Sequence, residues 1–278
     1  MDEGGRRTEA TLKKHIRDLL DPNHRDRATS VDEVTKRGAV AAPLLVEALL
    51  KHPSAAWAHE NLTTALEEIG KPAVDALLDA LRGVRDFRRS ETIYLVETIA
   101  QTLGRLDDRR AAGPLAACLH ALNVELRKPE TPADRAELLR AARSGVHLVL
   151  SRFGATDGVD DLLKILGDGR RRIHEEIVEA LARVGDRRAL PPLLRLYARE
   201  LNVTEWSARN VKWAFREIAR RERVDRDHRM FRGLSAAEDD LLDRLLARPR
   251  PAAAAVLHLP ARATSRGGAR ARRTAGAR

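Results

Sequence analysis

The strongest constraint on the fold is a short pattern that recurs along the chain. Five leucines mark it, and each is followed four residues later by a leucine or a tyrosine, so that both side chains share one helical face. The marks are Leu45, Leu77, Leu115, Leu162 and Leu193. They lie 32, 38, 47 and 31 residues apart, and the shortest spacings accommodate two helices and two turns. The pattern therefore predicts a repeated helical hairpin, with insertions where the spacing is longer.

A second amphipathic helix is predicted before each turn. The stretches WAHENLTTALEEIG, TIYLVETIAQTLG and RIHEEIVEALARVG each carry an apolar stripe, and they stop at Gly70, Gly104 and Gly185. Glycine adopts the left-handed conformation that ends many helices, and prolines follow closely, near the first turn of the next helix. Neither helix of a pair can bury its stripe alone, so the pairs are predicted to stack into an α-solenoid.

The same patterns set the predicted boundaries. Residues 1–247 form the solenoid, with a capping unit at 8–37, core repeats at about 38–223 and a terminal helix at 235–247. Residues 248–278 are rich in arginine, alanine and proline and carry no helical stripe, so they are predicted to be a disordered basic tail.

Two local signals refine this division. The stretch NVELRKPETPAD, residues 123–134, contains two prolines and predicts an inserted loop in the third unit. Ser235, with Glu238 three residues later, predicts a capping box at the start of the terminal helix.

The net charge of +10 is concentrated at one end of the chain. Residues 248–278 contain eight arginines and no acidic residue, which leaves 43 basic and 41 acidic side chains in the remaining 247 residues. The predicted solenoid is therefore almost neutral, and its overall charge does not indicate a nucleic-acid-binding fold. The tail itself is suited either to non-specific binding of anionic surfaces or simply to solubility.

Cysteine use and hydropathy indicate the setting. Cys118 is the only cysteine, so an intrachain disulfide is excluded, and its apolar surroundings predict a small buried side chain. The chain contains no run of 18 apolar residues and its first residues carry no apolar signal region. We expect no membrane contact and a reducing, cytoplasmic setting.

Three stretches of the chain resemble a known repeat family. They are IGKPAVDALLDAL (69–81), LDDRRAAGPLAACL (106–119) and VGDRRALPPLLRL (184–196). They resemble HEAT repeats, in particular the short bacterial type found in phycobilisome-lyase-like proteins, over about residues 28–223. The resemblance implies an all-α, right-handed α-α superhelix of about five to six helical-hairpin repeats. It also implies a concave face, lined by the second helix of each pair, that is available to partners.

A basic stripe is the first candidate binding surface. In RNVKWAFREIARRER, residues 209–223, basic side chains recur at spacings of three and four and so share one helical face. The stripe contains Arg209, Lys212, Arg216, Arg220 and Arg223, and it is bordered by Trp206 and Trp213. Arginines beside exposed aromatic rings suit nucleic acid or an acidic protein, whereas the nearby acidic residues favour a simply solvated face.

Two equivalent arginine pairs form a second candidate. Arg109-Arg110 and Arg187-Arg188 occupy the same place in two similar turns, and we expect them to project from one edge of the solenoid as a basic ridge.

Two His-Glu pairs raise the question of a metal. His59-Glu60 and His174-Glu175 each lie eleven residues before a glycine that is predicted to end a helix, so they are equivalent positions. Such pairs resemble those of deoxyhypusine hydroxylase, a HEAT-repeat enzyme with a di-iron site. The intermediate units lack these residues, and the two pairs are separated by about 30 Å if each helix layer adds roughly 10 Å. We therefore predict no metal and no other cofactor.

These observations predict a non-catalytic scaffold or adaptor that binds another protein along its concave face. The first alternative is a nucleic-acid-binding protein that uses residues 209–223 and the arginine-rich tail. The second alternative is a His-Glu metal-dependent enzyme. The patterns leave the identity of the partner and the oligomeric state open.

Overall fold

The computed structural model describes residues 3–21, 23–52, 56–84, 86–168, 173–201 and 205–247. These residues form thirteen α-helices and no strand. The helices are α1 (Glu3–Leu19), α2 (Arg27–Thr35), α3 (Ala42–Lys51), α4 (Ala56–Ile69), α5 (Val74–Gly83), α6 (Ser90–Leu106), α7 (Ala112–Leu126), α8 (Ala133–Arg152), α9 (Val159–Gly167), α10 (Glu175–Val184), α11 (Leu190–Glu200), α12 (Glu205–Arg221) and α13 (Ala236–Leu246). None of these described helices is long and apolar enough to cross a membrane.

The helices after α1 form hairpins that stack in two rows. The first helices, α2, α4, α6, α8, α10 and α12, each pack on the next first helix. The second helices pack closely from α3 through α5 to α7, and again from α9 through α11 to α13. This arrangement confirms the predicted all-α solenoid of about six hairpins.

The register leucines lie at the centre of each hairpin. Leu45, Leu77, Leu115 and Leu193 have no exposed surface, and Leu162 is 1% exposed. The buried apolar side chains nevertheless form two clusters, one from Leu12 to Phe153 and the other from Leu162 to Leu245. The division falls inside the α8–α9 hairpin. This hairpin contains Leu162, the leucine that ends the 47-residue spacing.

The glycines that were predicted to end helices behave in three different ways. Gly70 has a φ of 75° and ends α4 as expected. Gly104 was predicted wrongly, because α6 continues to Leu106 and Asp107 takes the left-handed conformation, with a φ of 50°. A Cβ on Gly104 would lie 2.9 Å from a methyl carbon of Val149, so this glycine permits close packing of α6 on α8. Gly185 ends α10 in an extended conformation, with a φ of −62°, rather than a left-handed one.

Two of the turns that lead into second helices, those before α7 and α11, are capped by aspartates. The Asp108 carboxylate accepts a hydrogen bond from the Arg110 backbone N–H at 3.0 Å, and Asp186 accepts the same bond from Arg188 at 2.8 Å. Each aspartate begins a short 3₁₀ turn that leads into the second helix, at Arg109–Ala111 and Arg187–Ala189. A side-chain oxygen at this position satisfies a backbone donor that has no partner within the helix.

The insertion in the third unit is shorter than predicted. α7 continues to Leu126 and α8 begins at Ala133, so residues 127–132 form the loop instead of 123–134. Glu125 is only 6% exposed, and its carboxylate lies 2.6 Å from the Lys128 ammonium and 3.5 Å from the Arg135 guanidinium. Thr131 also donates to the Glu125 carbonyl at 2.9 Å. These contacts explain the extension, since they satisfy the last turn of α7 before the prolines interrupt the helix.

The last helix, α13, begins with the predicted capping box. The Ser235 backbone N–H donates to the Glu238 carboxylate at 3.0 Å, and the Glu238 N–H donates back to the Ser235 hydroxyl at 3.3 Å. α13 then spans 236–246, within the predicted 235–247. Residues 248–278 lie outside the described residues, and their predicted disorder stays a prediction.

Candidate functional site

The row of second helices has two openings with opposite chemistry. The first, the apolar groove, is a cavity of about 960 Å³ between α3 and α5. It is lined by Ala39, Pro43, Val46, Glu47, Leu50, Pro72, Asp75, Ala76, Asp79, Ala80, Gly83, Val84, Asp86, Thr92 and Leu95. Leu50 is 42% exposed in this groove.

The charges of the apolar groove are all carboxylates, and each has a basic neighbour outside the lining. The Glu47 carboxylate is 2.5 Å from Lys51, and Asp79 is 2.8 Å from Arg82. Asp75 is 2.7 Å from Arg110, and Asp86 is 3.7 Å from Arg88. The groove therefore has an apolar floor that is surrounded by paired, solvated carboxylates.

The second opening, the basic notch, lies between α7 and α9. It is a cavity of about 510 Å³ whose floor is the N-terminal half of α8. Its walls come from the C-terminal parts of α7 and α9 and from the 127–132 loop, and Ile173 and His174 close one side. The notch thus lies between the two second helices, α7 and α9, that are separated in sequence by the insertion.

A buried polar network joins α7, α8 and α9 at the edge of the basic notch. His147 is 2% exposed, and its Nε2 donates to the Asp161 carboxylate at 2.8 Å. The Asn123 amide donates to the same carboxylate at 2.8 Å and accepts from the Arg143 guanidinium at 3.1 Å. Burial tends to raise the pKa of Asp161, but the hydrogen bonds from His147 and Asn123 outweigh it and hold that pKa at about 2. The network therefore contains a stable carboxylate at neutral pH.

Four of the five basic residues of the stripe lie on α12, which belongs to the row of first helices rather than to the row with the two openings. Arg223 was wrongly predicted to share this helical face, because α12 ends at Arg221 and Arg223 has a φ of 54°. Arg209, Arg220 and Arg223 are exposed, and Trp213 is 43% exposed. Burial and then the charge of Arg216 lower the pKa of the half-buried Lys212. The side chain of Trp206 lies outside the described part of the chain.

Three basic side chains of α12 make contacts within the fold. The Arg216 guanidinium donates to the Leu245 carbonyl at 2.6 Å and so attaches α12 to the end of α13. Arg220 is 2.6 Å from Glu217. Arg221, which the spacing did not single out, donates to the carbonyls of Ala182 and Gly185. Part of the stripe is thus used for structure.

The arginine pairs are organised as ties between neighbouring hairpins. Arg110 contacts Asp108 in its own turn and reaches Asp75 at the start of α5. Arg188 does the same with Asp186 and with Asp160 at the start of α9, at 2.8 Å each. Their neighbours Arg109 and Arg187 are exposed and form no ion pair with a described residue. The predicted ridge therefore consists of one tethered and one solvent-facing arginine in each turn.

The two His-Glu pairs do not meet. His59 lies on α4, where its Nε2 contacts the His52 carbonyl at 3.1 Å and its Nδ1 lies 3.2 Å from the Thr98 hydroxyl. Burial lowers the pKa of His59. His174 precedes α10 and contacts Glu137 at 3.3 Å, while Glu60 and Glu175 are exposed. Among the described residues, no group of three or more His, Cys, Asp or Glu side chains is arranged to hold a metal ion.

The cysteine has the predicted structural environment. Cys118 is 7% exposed within α7, and burial raises the pKa of its thiol to about 12. A thiol that stays protonated is a poor nucleophile and a poor metal ligand.

Neither opening was predicted from the sequence. The apolar groove depends on the distance between α3 and α5. Its signal in the sequence is Leu50, an apolar residue one position beyond the buried stripe of α3. The basic notch left a clearer signal, because His147, Asp161 and the basic insertion are polar residues near predicted core positions.

Comparison with known proteins supports the repeat pattern. Residues 124–211 match the family described as HEAT repeats, and this range contains the α8–α9 and α10–α11 hairpins. The resemblance inferred from the turns and leucines is confirmed by this match. No curated protein and no solved structure matches the chain.

Proposed function

We propose that this HEAT-repeat protein is a non-catalytic scaffold or adaptor, and that it binds an apolar segment of another protein in the apolar groove. The observation that carries the proposal is the groove itself, a cavity of about 960 Å³ on the row of second helices. In HEAT solenoids this row lines the concave face, where partners bind. A cytoplasmic location belongs to the same proposal.

The composition of the apolar groove favours a protein over a nucleic acid. Its lining contains no basic and no aromatic side chain, so it offers neither phosphate contacts nor stacking surfaces. Its exposed apolar residues suit an amphipathic helix or an extended apolar peptide, which buries such surface on binding. The paired charges around it remain in water and form a polar rim.

The test changes the groove without changing the fold. In the variant Leu50→Glu, Ala80→Glu, two carboxylates are placed on partly exposed lining positions. The control is Val124→Glu, because Val124 is 44% exposed, much as Leu50 is, and lies outside the lining. Proteins captured from the native host are compared by quantitative mass spectrometry for the wild type, the variant and the control.

We expect a specific protein to be retained by the wild type and by Val124→Glu and lost by the double variant. A desolvated carboxylate in an apolar interface costs several kcal/mol, so recovery should fall by at least about tenfold. Equal recovery from all three forms would show that the groove is not the binding surface.

Nucleic-acid binding by α12 is the second candidate, and the exposed Trp213 beside Arg209 favours it. Phosphate contacts release counterions, so binding should weaken steeply as salt rises. Filter binding across a salt series, with the intact chain and with a form that ends at residue 247, measures this. Binding that stays near background at low salt would remove this candidate.

A further inference from the structure

The basic notch has a strong excess of cations in its lining. The permanently charged lining residues are Arg127, Lys128, Arg140, Arg143 and Lys164, and the His174 imidazole lies beside them. The lining contains only two carboxylates, Asp161 and Asp168. Asp161 already accepts hydrogen bonds from His147 and Asn123, so it is engaged in the buried network.

The excess persists when the neighbouring ion pairs are included. Lys128 shares Glu125 with Arg135, and Arg140 is 2.5 Å from Glu137. Adding these three neighbours leaves six arginines and lysines against four carboxylates. Among these ten side chains the cations therefore exceed the carboxylates by two.

Two of the cations have no internal partner. Arg127 and Lys164 are exposed and form no ion pair with a residue in the described ranges. Arg127 comes from the loop after α7, and Lys164 comes from the middle of α9, so they approach the cavity from opposite walls. The guanidinium of Arg143, from α8, also lines the cavity, and its hydrogen bond to Asn123 orients its planar donors.

The helix ends do not decide the charge of the site. The N-terminus of α8 faces the notch with a partial positive charge, whereas the C-termini of α7 and α9 bring partial negative charges. These contributions oppose one another, so the side chains set the electrostatic potential of the cavity.

We propose that the basic notch binds a phosphate ester. A phosphate group carries a charge of about −1.5 to −2 at neutral pH, which matches the local excess, and its oxygens suit guanidinium donors. The cavity of about 510 Å³ has the size of a small-molecule site. A phosphorylated side chain of a partner protein and a free phosphorylated small molecule offer the same chemistry. This site is separate from the apolar groove and does not depend on the protein partner proposed above.

The experiment is isothermal titration calorimetry of the full chain at constant ionic strength. The probes are glycerol 3-phosphate, which represents a free phosphorylated molecule, and N-acetyl-phosphoserine methylamide, which represents a phosphorylated side chain. Sodium sulfate at equal ionic strength serves as the reference anion. The tighter of the two probes identifies the source of the phosphate.

The variant Arg127→Ala, Lys164→Ala removes the two cations without an internal partner. The matched control is Arg109→Ala, Arg187→Ala, which removes the same charge from exposed positions in the turns. We expect phosphate binding to weaken by at least about tenfold in the variant and by less than about twofold in the control, because charge-assisted hydrogen bonds are lost only in the notch. Wild-type binding no tighter than sulfate, or equal weakening in variant and control, would overturn the proposal. Circular dichroism confirms that both double variants are folded.

Discussion

Two neighbouring pairs in the row of second helices, α3 with α5 and α7 with α9, come from hairpins of the same kind, yet the cavities beside them have opposite chemistry. Leu45 and Leu77 lie 32 residues apart, and α3 packs on α5 beneath an apolar groove. Leu115 and Leu162 lie 47 residues apart, and α7 reaches α9 through the Asn123–Asp161 hydrogen bond. The longer spacing coincides with a polar seam, in which hydrogen bonds join α7, α8 and α9 and the apolar core is interrupted inside the α8–α9 hairpin.

The comparison also explains why the apolar core is divided. From α1 to α8 buried leucines and valines continue from one helix to the next up to Phe153, and a new cluster begins at Leu162 in α9. His147 and Asp161 occupy the seam with hydrogen bonds, which require exact partners where apolar side chains only require volume. We infer that this network sets the register of α9 on α8, at some cost in stability.

The largest effect is expected from breaking the buried network. Asp161→Ala leaves the buried His147 nitrogen and the Asn123 amide without their acceptor, which should lower the free energy of unfolding by about 2–4 kcal/mol. Asp160→Ala is the control, because that neighbour is 72% exposed and pairs only with Arg188 at the surface. Urea denaturation of both variants measures the difference. Equal losses would mean that the network does not stabilise the seam.

A smaller effect is expected where α6 and α8 approach beneath the seam. Gly104→Ala would place a Cβ 2.9 Å from Val149, and relieving this contact should cost about 1–3 kcal/mol. Gly113→Ala in α7 meets no atom within 4 Å, so the better helix propensity of alanine should stabilise it by up to about 1 kcal/mol. Thermal unfolding should therefore shift in opposite directions. A stabilised Gly104→Ala protein would contradict the close packing of these helices.

The seam should also respond to acid. The pKa of Asp161 is lowered from 3.8 to about 2, so its contribution to stability is complete above about pH 4 and is lost as the pH falls toward 2. Because the carboxylate is partly solvated, we expect this contribution to the free energy of unfolding to be roughly 1–2 kcal/mol. The measurement is the free energy of unfolding between pH 5 and pH 2 for the wild type and Asp161→Asn. If the free energy of unfolding changed with pH in the same way for both proteins, Asp161 would have the same pKa in the folded and unfolded states.

The smallest effects are expected at the arginine ties, which are the same in both regions. Arg110→Ala and Arg188→Ala each break an exposed inter-hairpin ion pair, one near the groove and one near the notch, and each should lower the urea midpoint of unfolding only slightly, because exposed ion pairs contribute little to stability. The two losses should be similar, and both should shrink in 0.5–1 M salt, where roughly 3–4 Å screening lengths apply. A large loss for Arg188 alone would mean that the tie supports the polar seam.

Much of the architecture could be predicted because it repeats. The buried leucines, the aspartate caps and the Ser235 capping box all depend on residues that are close in the sequence. The role of Gly104 could not be predicted, because the same residue type ends one helix and permits close packing in another. The loop at 123–134 was predicted too long, because Glu125 is stabilised by Arg135 from the following helix.

The candidate sites were less accessible to sequence analysis. Arginine spacing identified the α12 stripe, but only the packing shows that Arg216 and Arg221 bond to backbone carbonyls of neighbouring segments. His59 and His174 were predicted to occupy equivalent positions, but His59 lies inside α4 whereas His174 precedes the first residue of α10, and the two side chains make separate contacts.

By itself, the sequence determined the helical hairpin, its repetition and the face that each helix buries, since these depend on periodicity and on the chemistry of single turns. Only the tertiary structure decided where the row of second helices opens. The gap between two helices depends on how inserted residues and buried polar groups set their separation, and a pattern within one hairpin does not contain that distance. The apolar groove and the basic notch are both consequences of such separations, one between α3 and α5 and the other between α7 and α9.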